Sequence, residues 1–433
     1  MFPKLEIFND HSVLHSDCKT SKKFPEGNPS QNARLRLEHI KKALDANYLS
    51  KLVDSCKVSI NTSVAINPEH IALLTRLVDS VTSEVGRALV GLSVLQLSVK
   101  CISNDQSIRL HKAGGGGSNF SWVEGIPMRV LDKNYITPVL REYGLLKLNS
   151  DGFMMTRSLA ENYPYTQLYK AAIRGARLEW LELVELIEAN LINPDYALRY
   201  LITLLLNRSD DFKKTATLTI SAVRKLAPIF IKLDDATQFI QSYVDKSKYS
   251  ARVFEISMHA LFQVLNAHKV FGGFLKPLTQ MRSANKKHGN IGDIEIVNKS
   301  GGLVILEAWD AKYGKSYLRD ELNELNEKLQ DHPETRQVGF VVDQVPDLKE
   351  EILTSIDEIE QLHDVKVSIL TFAEWAQSQA CRAIGVSETD IARDWVVAFT
   401  ESLCQMRRYT APIDEPSDIW IAELLQHSTD WIK

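Results

Sequence analysis

The chain has 433 residues, 44% of them hydrophobic and 24% charged, with a formal net charge of −4. That is a globular composition of two or three domains, long enough to bury substantial cores. It excludes a uniformly basic polyanion binder, so any nucleic-acid contact must come from local cation patches.

The five cysteines, Cys18, Cys56, Cys101, Cys381 and Cys404, are scattered, odd in number and form no C-x-x-C pair. The expectation is free thiols in a reducing cytoplasm, not a disulfide framework or a zinc site. No apolar stretch follows Met1, so no signal peptide is read. The longest apolar runs, Ala88–Leu97 and Tyr196–Leu206, are too short or too interrupted to span a bilayer, and no membrane is expected.

In chain order, residues 1–31 are polar and rich in Ser, Asn, Asp, Lys and Pro, which reads as a poorly ordered or surface-draped arm. From Asn32 the pattern turns helical, with an imperfect apolar face at Ala33, Leu35, Leu37 and Ile40. Pro68–Leu97 reads as two successive helices. The glycine tract Gly114–Gly117 follows Arg109, His111 and Lys112 and precedes Phe120 and Trp122. Four consecutive glycines cost too much entropy inside a helix or strand, so this is a loop. It serves as a simple linker, or as a loop that orders on a phosphate backbone.

Ile136–Arg157 reads as an amphipathic helix ending at Gly144, a strand Leu145–Leu148, a turn at Asn149–Gly152 and a second strand Phe153–Thr156. Arg129, Lys133, Arg141, Lys147, Arg157, Lys170, Arg174 and Arg177 make the region locally basic. Helix followed by hairpin resembles the end of a winged helix-turn-helix module. The resemblance covers about Phe120–Tyr163, and the local charge favours DNA over a scaffold role; residues 32–177 are assigned as a helical and winged-helix-like DNA-recognition domain, with Arg109, His111 and Lys112 beside the glycine loop and Arg129, Lys133, Arg141, Lys147 and Arg157 as expected DNA contacts. Leu178–Val244 reads as all helix, broken at Asn193-Pro194, and residues 178–248 are assigned as a helical linker layer.

From Ser250 the expected order is a helix carrying Glu255, strands Asp293–Asn298 and Leu303–Lys312, a helix Tyr317–Leu329, a strand Val338–Val342, a helix Leu348–Leu362, a strand Val365–Leu370, and a helix from Phe372. The critical stretch is GDIEIVNKSGGLVILEAWDAK, Gly292 to Lys312. Side chains alternate along a strand, so Asp310 and Lys312 share one side, and a turn at Lys299–Gly302 returns Asp293 towards them. Two carboxylates held together repel unless a proton or a cation lies between them. Magnesium binds through one or two carboxylates plus substrate phosphate, and a lysine beside it can neutralise developing charge.

This constellation resembles the PD-(D/E)xK nuclease superfamily, whose core is found in type II restriction endonucleases. Gly292 stands where that pattern has proline, and only a bend is expected of it. The resemblance implies a three-layer α/β/α core within residues 249–433, so that the whole chain is a multidomain α+β protein. It implies Asp293, Asp310, Lys312 and Glu255 as catalytic residues, with Asp293, Asp310 and Glu255 on Mg2+. Glu295 is a reserve ligand and Glu307 a structural residue. Arg282, Lys286, Lys287 and His288 crowd a basic loop before Asp293 that suits a phosphate backbone.

The expected function is a Mg2+-dependent, sequence-specific double-stranded DNA endonuclease of a restriction system. It would hydrolyse the phosphodiester with a cation-activated water and act as a homodimer. Two competitors remain open: a structure-specific repair, transposition or defence nuclease on the same core, and a DNA-binding regulator whose nuclease-like domain is inactive.

Overall fold

The computed structural model describes residues 3–16, 20–58, 67–81, 84–114, 120–146, 150–155, 157–171, 173, 175–278, 289–298, 304–405 and 417–431. The chain is a mixed α+β protein with one three-stranded and one five-stranded sheet. It divides into two compact units at Phe212/Lys213. That boundary falls inside a single long helix, Pro194–Leu226 (α8), and so within the stretch assigned from sequence to one helical layer. Among the described residues no helix is long and apolar enough to cross a membrane.

The first unit opens with strands where a polar arm was expected. β1 (Lys4–Ile7), β2 (His11–His15) and β3 (Ser21–Pro25) form an antiparallel meander. Its inward side chains Leu14 and Phe24 pack with Leu110 and Trp122, and Glu26 forms a β-bridge with Trp122. Few apolar residues suffice because this sheet needs only one buried face.

Helices α1 (Gln31–Asp45), α2 (Tyr48–Val58), α3 (Pro68–Asp79) and α4 (Glu84–Ile102) follow. Asn67 caps α3, its side chain accepting from the Glu69 amide at 3.0 Å, and Pro68 occupies the first turn, where no N–H is missed. The described side chains of α4 from Ala88 to Val99 are buried all round, as expected of a helix at the centre of a core.

Among the described residues the winged-helix hairpin does not form. After α5 (Met128–Leu131) the chain makes a π-helical turn at Asp132–Ile136 and then α6 (Thr137–Glu142). Gly144 does end α6, with φ of +65°. Phe153–Met155, read as a strand, is a 3-10 turn instead; residues 147–149 and 156 lie outside the described residues. Two tertiary contacts override the local turn signal. Asp132, fully buried, accepts from the Met154 amide at 2.9 Å and the Thr137 hydroxyl at 2.5 Å. Phe153 fills the space left by Gly91 on α4, where a Cβ would stand 2.7 Å from its ring. α7 (Arg177–Glu188) completes the core and contributes Trp180.

In the second unit the elements expected from sequence form within a few residues. α9 (Leu233–Val244) and α10 (Ser250–Ala267) precede the sheet β4-β5-β6-β7-β8. Its strands are Phe274–Leu275, Ile294–Asn298, Val304–Lys312, Gln337–Val342 and Lys366–Thr371. β4, β5 and β6 are antiparallel, while β6, β7 and β8 are parallel and joined through α11 (Arg319–Leu329) and α12 (Glu350–His363). Leu322, Leu325, Ile352 and Ile359 of these helices pack on Ala308, Val338 and Phe340. On the opposite face Trp309 meets Trp375 of α13 (Phe372–Ala380), which stacks on Phe262 of α10. α14 (Glu388–Cys404) closes over α10, with the indole of Trp395 donating to Ser257 O at 2.9 Å, and α15 (Ser417–Trp431) buries Trp420.

Candidate active site

The β5–β6 register sets the site. Ile294 pairs with Trp309, so one step outward Asp293 comes beside Asp310. Asp293 Oδ2 accepts from the Ala311 amide at 3.1 Å. Alternation then turns Asp310 and Lys312 to the same side, where Lys312 Nζ lies 2.8 Å from Asp310 Oδ2. Gly292 does more than supply a bend: a Cβ there would stand 2.7 Å from Trp309 O, so only glycine lets this segment lie on β6. Gly339 has a matching role on β7, since a Cβ there would sit 2.4 Å from the Trp309 ring.

Burial, then the charge of Asp293, pushes the Asp310 carboxyl up to about 8, against the opposing pull of Lys312. Burial, then the charge of Glu255, raises Asp293 as well. Burial alone would lower Lys312, but the neighbouring Asp310 carboxylate reverses this and holds it above the usual lysine range. Two carboxylates thus face one ammonium group, and the site gains from further positive charge.

Glu255, on α10, is ion-paired with the buried Arg252 and reaches Asp293 through its charge. Among the described residues no group of three or more His, Cys, Asp or Glu side chains is arranged to hold a metal ion. Asp293 and Asp310 do supply the two hard oxygen donors that magnesium uses when substrate phosphate completes its shell. Their mutual repulsion and raised proton affinity fit a divalent cation.

Glu295 is not a spare ligand. It is buried, its Oε1 accepts from the Ile291 amide at 2.7 Å, and its Oε2 meets Lys276 Nζ at 2.7 Å. Glu307 is structural, as expected: it pairs with Arg382 at 2.7 and 2.9 Å and accepts from the Trp309 indole.

The face of β6 bearing Asp310 opens on a small cleft lined by Gly292, Asp310, Lys312, Glu321, Glu324 and Lys328. Glu321 is ion-paired with Lys315; Lys328 lies 2.8 Å from Glu324 and donates to Ile291 O at 3.1 Å. Sequence reading missed the α11 residues because charges at three- and four-residue spacing look like ordinary helix-surface pairs.

The expected DNA contacts divide. Arg109 is buried and bidentate to Glu185, at 2.7 and 2.5 Å, and also donates to Tyr165 O. His111 is buried, bonded to Glu161 O at 2.8 Å and stacked on Tyr165; burial pushes its pKa down to about 3, so it is neutral. Neither is presented to a phosphate. Lys112 is bonded to Asn162 and lies over the Phe120 ring. Arg129, Lys133 and Arg157 are exposed, Lys133 lying 3.6 Å from Asp151 and Arg157 at 4.0 Å from Glu161, and Arg141 is half-buried. Lys147, Arg282, Lys286, Lys287, His288 and the glycine tract beyond Gly114 lie outside the described residues. Compared with models of known families the chain matches none, and no curated protein matches its sequence.

Proposed function

We propose that the protein is a divalent-cation-dependent DNA endonuclease working in the manner of the PD-(D/E)xK nucleases its sequence resembles. The observation that carries this reading is the convergence of Asp293, Asp310 and Lys312 where β5 meets β6. Asp293 and Asp310 would hold magnesium, which when bound supplies Lewis-acid polarisation of the phosphoryl group. Lys312 neutralises charge developing on the phosphoryl oxygens during attack by water. The P–O3′ bond breaks as the water oxygen bonds to phosphorus, leaving a 5′-phosphate and a 3′-hydroxyl. Glu255, held by Arg252, tunes Asp293 from α10.

Double-stranded DNA is the proposed substrate, with the exposed cations Arg129, Lys133 and Arg157 of the first unit as phosphate contacts. Cutting both strands needs two such centres, and a homodimer would provide them. Sequence-specific cleavage of the restriction type is the finer form of the proposal.

The test is supercoiled plasmid incubated with Mg2+ or with EDTA, using the wild type, Asp310→Ala and Lys312→Ala. Mg2+-dependent cleavage by the wild type alone supports the assignment. Discrete fragments mark site specificity, and cutting confined to branched or damaged DNA moves the enzyme to the structure-specific class. DNA binding without cleavage in either Mg2+ or Mn2+ overturns the enzyme reading in favour of a regulator.

A further inference from the structure

We propose that Glu295, acting with Lys276, is a positioning residue that sets Asp293 against Asp310. The two oxygens of Glu295 serve different partners. Oε1 accepts from the amides of Ile291 and Gly292, at 2.7 and 3.3 Å. Oε2 meets Lys276 Nζ at 2.7 Å, and the same ammonium group donates to Asn290 Oδ1 at 2.8 Å. The Lys276 amide donates to Glu295 O at 2.9 Å, and Lys276 O is bonded to His259 of α10 at 3.0 Å.

Residues 290–292, which deliver the chain to Asp293, are therefore tied at three consecutive positions to one carboxylate–ammonium pair. Glu295 is only 1% exposed, although Lys276 is partly exposed, and a buried carboxylate is retained at a cost that its bonds must offset. Gly292 lies against the Trp309 backbone and leaves the segment no slack on its other side. Moving residues 290–292 moves Asp293 directly, and with it the bond from the Ala311 amide. Both oxygens of Glu295 are engaged, so it acts through Asp293 and is not itself a cation ligand.

The proposal rests on the reading of Asp293 and Asp310 as the ligand pair, and its test separates the two. Glu295→Gln, Lys276→Met and the double variant are compared in the full chain. Hydrogen exchange at the Ala311 amide reports the Asp293 contact without any cation or DNA. Mn2+ titration reports the ligand pair. Glu295→Gln sets an amide N–H against the Lys276 ammonium, so the Ala311 amide exchanges faster and Mn2+ affinity falls about tenfold. The double variant removes that clash but not the loss of the Lys276 bond to Asn290, so both readouts return only part of the way to the wild type. A merely structural role lowers the melting temperature of the single variants and leaves both readouts unchanged in the folded protein, and that result overturns the proposal. If the wild type binds no Mn2+ while the variants still expose the Ala311 amide, the clamp stands and the nuclease reading falls. If Glu295→Gln does not fold, Lys276→Met, which keeps the bonds from Ile291 and Gly292, decides by the same two readouts.

Discussion

Lys312 Nζ lies 2.8 Å from Oδ2 of Asp310, two residues back on the same strand, yet Asp310 is still pushed up to about 8. One half-buried ammonium group does not offset both the burial of this carboxyl and the neighbouring Asp293. The imbalance gives the site testable properties before any substrate is considered.

The first is a pH dependence of stability. The folded pKa of Asp310 is raised, so folding binds a proton that the unfolded chain has released. The contribution is fully present below the ordinary aspartate range, near pH 4, and is lost as pH rises through about 8. Asp310→Asn removes this loss. Its unfolding midpoint in denaturant should exceed the wild type's by a margin that widens from pH 5 to pH 8; a constant margin would contradict the assigned shift.

The second concerns the cation. With Mg2+ held by Asp293 and Asp310 as proposed, protons would compete with it, so Mg2+ should raise the melting temperature more at pH 8 than at pH 6. EDTA should reverse the effect, and Asp293→Asn should abolish it. Thermal melts at the two pH values decide this without DNA.

The third concerns chemistry. Lys312→Met should reduce the cleavage rate by on the order of 10²–10³ while DNA affinity changes little, because the ammonium group acts on charge that exists only during reaction. Single-turnover cleavage and a binding assay in Ca2+ separate the two effects. A purely weakened affinity would contradict the role given to Lys312.

The fourth is steric. Gly292→Ala would place a Cβ 2.7 Å from Trp309 O, a backbone atom that cannot swing aside. The cost should be about 1–3 kcal/mol of stability, with cleavage lost in the folded fraction because Asp293 is displaced. Gly289→Ala provides a nearby comparison: a Cβ there meets nothing within 4 Å, but φ is +63°, so its cost is backbone strain alone. Chemical denaturation with parallel activity measurements tests both.

The fifth separates buried from exposed arginines. Arg109→Ala should destabilise the first unit by about 3 kcal/mol or more, since it leaves a gap in the core and removes a cation from the buried Glu188, and should leave DNA affinity of the folded protein unchanged. Arg157→Ala, on a side chain 98% exposed, should do the reverse and reduce the salt dependence of binding. Denaturant midpoints and binding measured at two salt concentrations give both answers.

Legibility differed along the chain for identifiable reasons. The second unit was readable because its elements carry strong periods: Leu303–Leu306 is an apolar run fitting a buried strand, and α11 and α12 repeat apolar residues at helical spacing. The meander at residues 4–25 was missed because so few of its side chains face the core. The hairpin expected after Gly144 was a reasonable local signal at Asp151-Gly152, but Asp132 and Gly91 lie far enough away in sequence that no window includes them. Arg109 and His111 looked like surface cations because composition does not reveal which charges find Glu185 or Tyr165.

The sequence by itself determined the order of elements in the second unit and the sharing of one strand face by Asp310 and Lys312, because alternation is a property of the extended backbone. Only the tertiary structure decided the rest. The β5–β6 register brought Asp293 to Asp310, the Trp309 backbone demanded glycine at 292, and Arg252 engaged Glu255 while Lys276 engaged Glu295. The physical reason is that a carboxylate's role depends on which opposite charges and donors reach it after burial, and those partners come from separate elements brought together by packing.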